Sequence, residues 1–105
     1  MKPRVTDDRE AALVTLLGQF YAGELTEGKL LRALRRDVLG LSQDRYAALV
    51  GISRRTLSDL EGDKGNATLE LINRAFKPLG LEMGLLPRQR RLLAQVLDLA
   101  SDARP

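Results

Sequence analysis

Arg54 and Arg55 stand side by side in the stretch SRRTLSDLE, with Ser58 and Asp59 one helical turn further on. If this stretch is a helix, Ser58 lies about 40°, Arg55 about 100° and Asp59 about 140° around the axis from Arg54. Thr56, Leu60 and Leu57 then fill roughly 200° to 300°, so polar and apolar side chains occupy opposite faces. A guanidinium presents parallel donors in a rigid fork, which matches two acceptors on one planar edge, such as O6 and N7 of guanine. Polar residues also cover the outer face of any surface helix. The arginines therefore gain meaning only from the elements that hold them.

Those elements are legible on either side. Ser42 can cap a short helix QDRYAALV, Gly51 stops it, and Ser53 caps the next, which Leu57 and Leu60 carry to Gly62. Two short helices joined by a tight turn containing glycine have the spacing of a helix-turn-helix. In that arrangement Tyr46, Val50, Ile52, Leu57 and Leu60 converge in the angle between the helices. Ala47 is small where the helices cross, and Gly51 supplies the positive φ of the turn. Arg54 and Arg55 then fall at the N-terminal end of the second helix, the end that approaches base edges in such motifs.

Further elements flank this pair. Asp7 and Glu10 have the form of a capping box ahead of Leu13, Leu16, Leu17, Phe20 and Tyr21, predicting an amphipathic helix over residues 8–21 closed by Gly23. Thr26 can cap a helix with Leu30, Leu31, Leu34 and Val38 on its apolar stripe and Arg32, Arg35 and Arg36 pointing elsewhere, ended by Gly40. The run EGDKGN over residues 61–66 is a loop by composition. Thr68 opens another helix, with Leu69, Ile72, Ala75, Phe76 and Leu79 on one face; Pro78 should end or kink it near Lys77. In LEMGLL, Leu81, Met83 and Leu85 alternate with Glu82 and Gly84, the period of a half-buried strand, although an extended apolar connector would read the same way. After Pro87, Leu92, Leu93, Val96, Leu97 and Ala100 predict a last amphipathic helix.

Composition narrows the chemistry. The chain has 105 residues, 44% of them apolar, enough for one modest core. Neither cysteine nor histidine occurs, which leaves no disulfide, no thiolate metal site and no imidazole base. With no phosphate-cradling glycine loop either, no catalytic residue, metal or cofactor is expected, and the chain reads as a non-enzyme. Seventeen basic against 14 acidic residues give a net charge of +3, and the pI is near 9.7, compatible with a nucleic-acid partner without establishing one. No run approaches the 18 or so apolar residues of a membrane span, and MKPRVTDDRE has no signal-peptide core, so a soluble, cytoplasmic chain is expected.

From Leu31 to Leu86 the sequence resembles the Cro/C1-type, or XRE, helix-turn-helix family, through LRRDVLGLSQ, LVGIS, TLSDLE and NATLELI. The resemblance implies an all-α, five- to six-helix, lambda-repressor-like domain over residues 26–80, preceded by a helical extension over 1–25. It implies that Gln43 and Lys64 touch DNA phosphates and that Ser53, Arg54, Arg55 and Asp59 face base edges. Thr56 and Ser58 complete the candidate contact set. It also implies a partly buried ion pair between Arg36 and Glu61. Asp59 departs from the pattern, since a carboxylate near DNA repels phosphates unless it accepts from cytosine N4 or orients Arg55.

The stretch ISRRTLSDLEGDKGNATLELINRAFKPLGLEMGLLP is most similar to the HipB antitoxin branch, in which one short strand pairs with its symmetry mate. That likeness implies a homodimer through Leu81, Met83 and Leu85 within residues 81–105, a palindromic operator, and a HipA-like kinase toxin as a further partner. A lone strand leaves its backbone groups unpaired unless another chain supplies a neighbour, which points the same way. Stand-alone repression, a HigA-like antitoxin and a protein-interaction adaptor on the same scaffold are the alternatives. Leu49, where the family usually has an exposed polar residue, calls for a cover: the N-terminal helix, a dimer partner or a cognate protein. Arg88, Arg90 and Arg91 either touch DNA flanks or solvate the start of the last helix.

Overall fold

The computed structural model describes the backbone of residues 5–102 and the side chains of residues 8–99. Six α-helices follow in order: α1 (Val5–Tyr21), α2 (Glu27–Ala33), α3 (Gln43–Val50), α4 (Arg54–Glu61), α5 (Leu69–Phe76) and α6 (Arg90–Asp102). α2 runs on through a π-turn over Leu34–Val38, and α5 through a 3₁₀ turn over Lys77–Leu79. The first helix begins ahead of the expected residue 8, so Asp7 lies inside it, and the Asp7 side chain of the expected capping box falls outside the described residues.

The caps are local chemistry carried out as the sequence dictates. Thr26, Ser42, Ser53 and Thr68 each adopt extended backbone, and each side-chain oxygen accepts from the amide three residues on. Gly51 ends α3 in the left-handed region at φ 75°, which turns the chain sharply into α4. Pro78 acts as expected: α5 stops at Phe76, and Gly80 closes the 3₁₀ turn at φ 71°.

Leu30, Leu31, Leu34, Tyr46, Ala47, Leu57, Ala75 and Phe76 form one buried cluster, so α2, α3, α4 and α5 share a single core. Val50, Ile52 and Leu60 pack on it half-buried, which is the convergence expected between α3 and α4. Leu13, Leu16, Leu17 and Phe20 seat α1 against the same cluster. Each fully buried leucine stabilises the fold by about 1.5–3 kcal/mol relative to leaving it in water. Gly28 marks the closest approach of backbones: a Cβ there would sit 2.5 Å from the carbonyl oxygen of Leu60, so α2 and the end of α4 meet only because position 28 has no side chain.

Two further features differ from expectation. No strand forms over Leu81–Leu86; among the described residues that segment has no regular secondary structure. Leu81 packs half-buried on the core, Leu85 is fully exposed, and the Met83 amide donates to Asn73 Oδ1 at 2.8 Å. A strand is defined by its ladder, and the described residues of a single copy offer no second strand to build one. The other difference concerns Leu49. The N-terminal helix does not cover it: α1 packs against α2 and its π-turn, and Leu49 on α3 remains 60% exposed.

Candidate nucleic-acid interface

Arg35, not Arg36, makes the buried ion pair. Arg35 Nε and Nη2 donate to Glu61 Oε2 and Oε1 at 2.6 and 2.9 Å, and Arg35 Nη1 donates to the Leu41 carbonyl at 2.8 Å. Arg36 is exposed and pairs with its neighbour Asp37. Helical geometry explains the correction. Counting from buried Leu31, Arg35 lies about 40° round the axis and so stays on the inward face, whereas Arg36 lies about 140° away. The Glu61 carboxylate holds Arg35 more firmly protonated than an ordinary guanidinium, chiefly through that hydrogen bond.

Glu61 also accepts from Gln43 Nε2 at 3.1 Å. One carboxylate at the end of α4 therefore ties together the π-turn that continues α2, through Arg35, and the first residue of α3, through Gln43. Behind it the Tyr46 hydroxyl donates to the Ala75 carbonyl, fixing α3 to α5, and burial pushes its pKa up to about 12. Asp63, at φ 55°, accepts from the Gly28 amide at 2.8 Å and from the Thr26 hydroxyl, which pins the loop after α4 to the start of α2. Among the described residues no buried side-chain nitrogen or oxygen lacks a partner, so the frame beneath α4 is fully satisfied.

On that frame α4 turns outward as the helical wheel predicts. Leu57 is buried and Leu60 half-buried, while Arg54, Arg55, Ser58 and Asp59 are exposed. Ser53 is occupied as the cap: its Oγ accepts from the Thr56 amide at 3.0 Å and shares a hydrogen bond with Thr56 Oγ1. Thr56 is accordingly half-buried, and these two hydroxyls shape the helix start. Lys64 is exposed beside Gln43, Ser58 and Arg32 around one polar notch at the other end of α4. Helical spacing alone does not single out Arg32 from the neighbouring arginines; its place next to Lys64 depends on how α2 crosses α4, which no single-helix pattern gives. Asp44 is a second residue that the pattern does not flag. Its Oδ1 lies 3.6 Å from Arg54 Nε, across the turn between α3 and α4.

Arg55 has no ion-pair partner among the described residues, so Asp59, one turn away, does not hold it here. Arg88, Arg90 and Arg91 are all exposed. Arg90 lays its guanidinium against Gly23 so closely that a Cβ there would collide with it, which puts a cation at the C-terminal end of α1.

Outward basic and polar residues on the second helix of a glycine-turned pair, above a satisfied charged frame, define a helix-turn-helix site. Residues 31–86 match the sequence profile of the helix-turn-helix family, and the chain belongs to that family in its XRE type. This is a DNA-binding family of transcription regulators and not an enzymatic one. Among curated proteins and among solved structures, none matches the chain significantly. No helix among the described residues is long and apolar enough to cross a membrane, and none of their acidic side chains gather into a metal-binding cluster.

Proposed function

We propose that the protein is a sequence-specific transcriptional repressor that acts as a homodimer on a palindromic operator. α4 enters the major groove, with Arg54, Arg55, Ser58 and Asp59 toward the base edges. Ser53 and Thr56 hold its first turn against the DNA, and Gln43 and Lys64 lie along the phosphate backbone. The observation that carries this reading is the exposed Arg54–Arg55 pair at the start of α4, above a frame whose described buried groups are all satisfied. Two copies placing their α4 helices one DNA turn apart, about 34 Å, would read a two-fold site.

The dimer contact proposed is the segment from Leu81 to Leu86. Asn73 occupies the Met83 amide on one edge of it, and an antiparallel ladder on the other edge would use the amides of Glu82 and Gly84. We further propose that the repressor is an antitoxin that silences its own operon and binds a HipA-like kinase toxin, a reading supported by the likeness of LEMGLL to the HipB branch. The exposed apolar face of α6 supports a protein partner of some kind and equally favours an adaptor role.

Binding to a palindromic duplex separates these readings. The repressor binds with an affinity that falls steeply as salt rises. Arg54→Ala with Arg55→Ala costs roughly 2–6 kcal/mol, at least about thirtyfold in Kd. Salt-independent or undiminished binding by the double variant would leave the adaptor as the better account.

A further inference from the structure

We propose that Asp44 is a positioning residue for Arg54, and through it sets the base preference at one operator position; this rests on the DNA-reading assignment of α4 given above. α3 and α4 pack on each other, each begun by its own cap, Ser42 and Ser53, with Tyr46 and Leu57 buried in the core they share. That packing brings Asp44 Oδ1 to 3.6 Å from Arg54 Nε. The contact takes the Nε side of the guanidinium and leaves both terminal nitrogens free. These are the parallel donors that meet O6 and N7 of guanine.

Arg55 supplies the contrast within the same helix. It has the same side chain, one residue on, with no carboxylate holding it among the described residues. Arg54 is therefore the oriented arginine of the pair and Arg55 the one free to choose between base edge and phosphate.

The side chains of Arg54 and Asp44 are 66% and 71% exposed, so in the free protein the pair adds little to stability. Against DNA the same two groups lose water, and a carboxylate held on Nε then has more influence on where the fork points. The carboxylate also repels neighbouring phosphates. Asp44 thus lowers affinity for arbitrary DNA while raising the share of it that depends on sequence.

The test uses the full chain, an operator selected by the wild-type protein from random-sequence duplexes, and the panel of single-base variants of that operator. Binding of Asp44→Asn, Asp44→Glu, Arg54→Ala and the Asp44→Asn/Arg54→Ala double variant is measured across the panel. Asp44→Asn should bind non-operator DNA several-fold more tightly, and its preference at the position read by Arg54 should fall roughly tenfold, with the other positions unchanged. Asp44→Glu should restore most of the preference, and adding Asp44→Asn to Arg54→Ala should change it no further. An Asp44→Asn protein that keeps the preference, or that gains affinity equally for every sequence, overturns the inference. A wild-type protein that selects no operator overturns the DNA-reading assignment instead, so the two failures are distinguishable.

Discussion

In the central helices the apolar stripes meet one another: Leu31, Leu34, Tyr46 and Leu57 are fully buried, and the ion pair that joins α2 to α4 is closed by two hydrogen bonds. In α6 a stripe just as regular finds little to pack on. Leu93 is buried, yet Leu92, Val96 and Leu97 remain 42%, 50% and 45% exposed. The radius of gyration, 15.0 Å, exceeds the roughly 13 Å of a closed domain of this length. Hydrophobic periodicity specifies that a helix has a face to cover. It does not specify which surface covers it, and here α2 to α5 cover each other while α6 is left with an apolar face toward solvent.

The largest expected effect lies at the best-packed point of the central region. Glu61→Ala leaves the Arg35 guanidinium buried without its counter-charge and releases Gln43 as well, and should cost about 3–5 kcal/mol in chemical denaturation. Replacing both partners at once, as Arg35→Met with Glu61→Leu, should cost much less, because no uncompensated charge remains. A single variant as mild as the double one would mean that the frame is looser than its hydrogen bonds indicate, and the contrast with α6 would shrink.

A smaller effect follows from Tyr46. Its pKa is raised in the folded chain to about 12, from an ordinary value of 10, mainly by burial. The folded state holds the phenolic proton more tightly than the unfolded state, so this contribution is fully present below pH 10 and is lost as pH rises from there through about 12. Two pH units correspond to roughly 2–3 kcal/mol at most. Denaturation followed between about pH 9 and pH 12 should show that decline in the wild type and a shallower one in Tyr46→Phe. Equal slopes would place the loss elsewhere.

The central domain is almost wholly legible in the sequence because its signals are local. Thr26, Ser42, Ser53 and Thr68 cap by their own side chains, Gly51 turns by its own φ, and Leu57 and Leu60 face inward by helical period. What escapes the pattern depends on relations between elements. An arginine reads as outward by its chemistry, yet the spacing of Arg35 from Leu31 keeps it inside, and its worth as a buried cation appears only once Glu61 arrives from α4. Asp44 and Arg32 gain their neighbours from helix crossings. The segment from Leu81 to Leu86 has strand alternation but no strand, since pairing is a property of two segments and the chain offers one.

The smallest effect on folding, and the sharpest test of the proposed dimer segment, is Met83→Asp. Met83 is 40% exposed, and its backbone amide is what Asn73 binds, so the substitution breaks no hydrogen bond and gives up only the covered part of one side chain. Unfolding of the monomer should move by only about 1 kcal/mol. On the proposed dimer the consequence is far larger, because the two-fold axis brings each introduced carboxylate close to its mate in a surface that must lose water to form. Sedimentation should then show a monomer in which α2 to α5 keep their helical signal. A Met83→Asp protein that still sediments as a dimer would remove Leu81, Met83 and Leu85 from the interface and leave the exposed face of α6 as the surface to vary next.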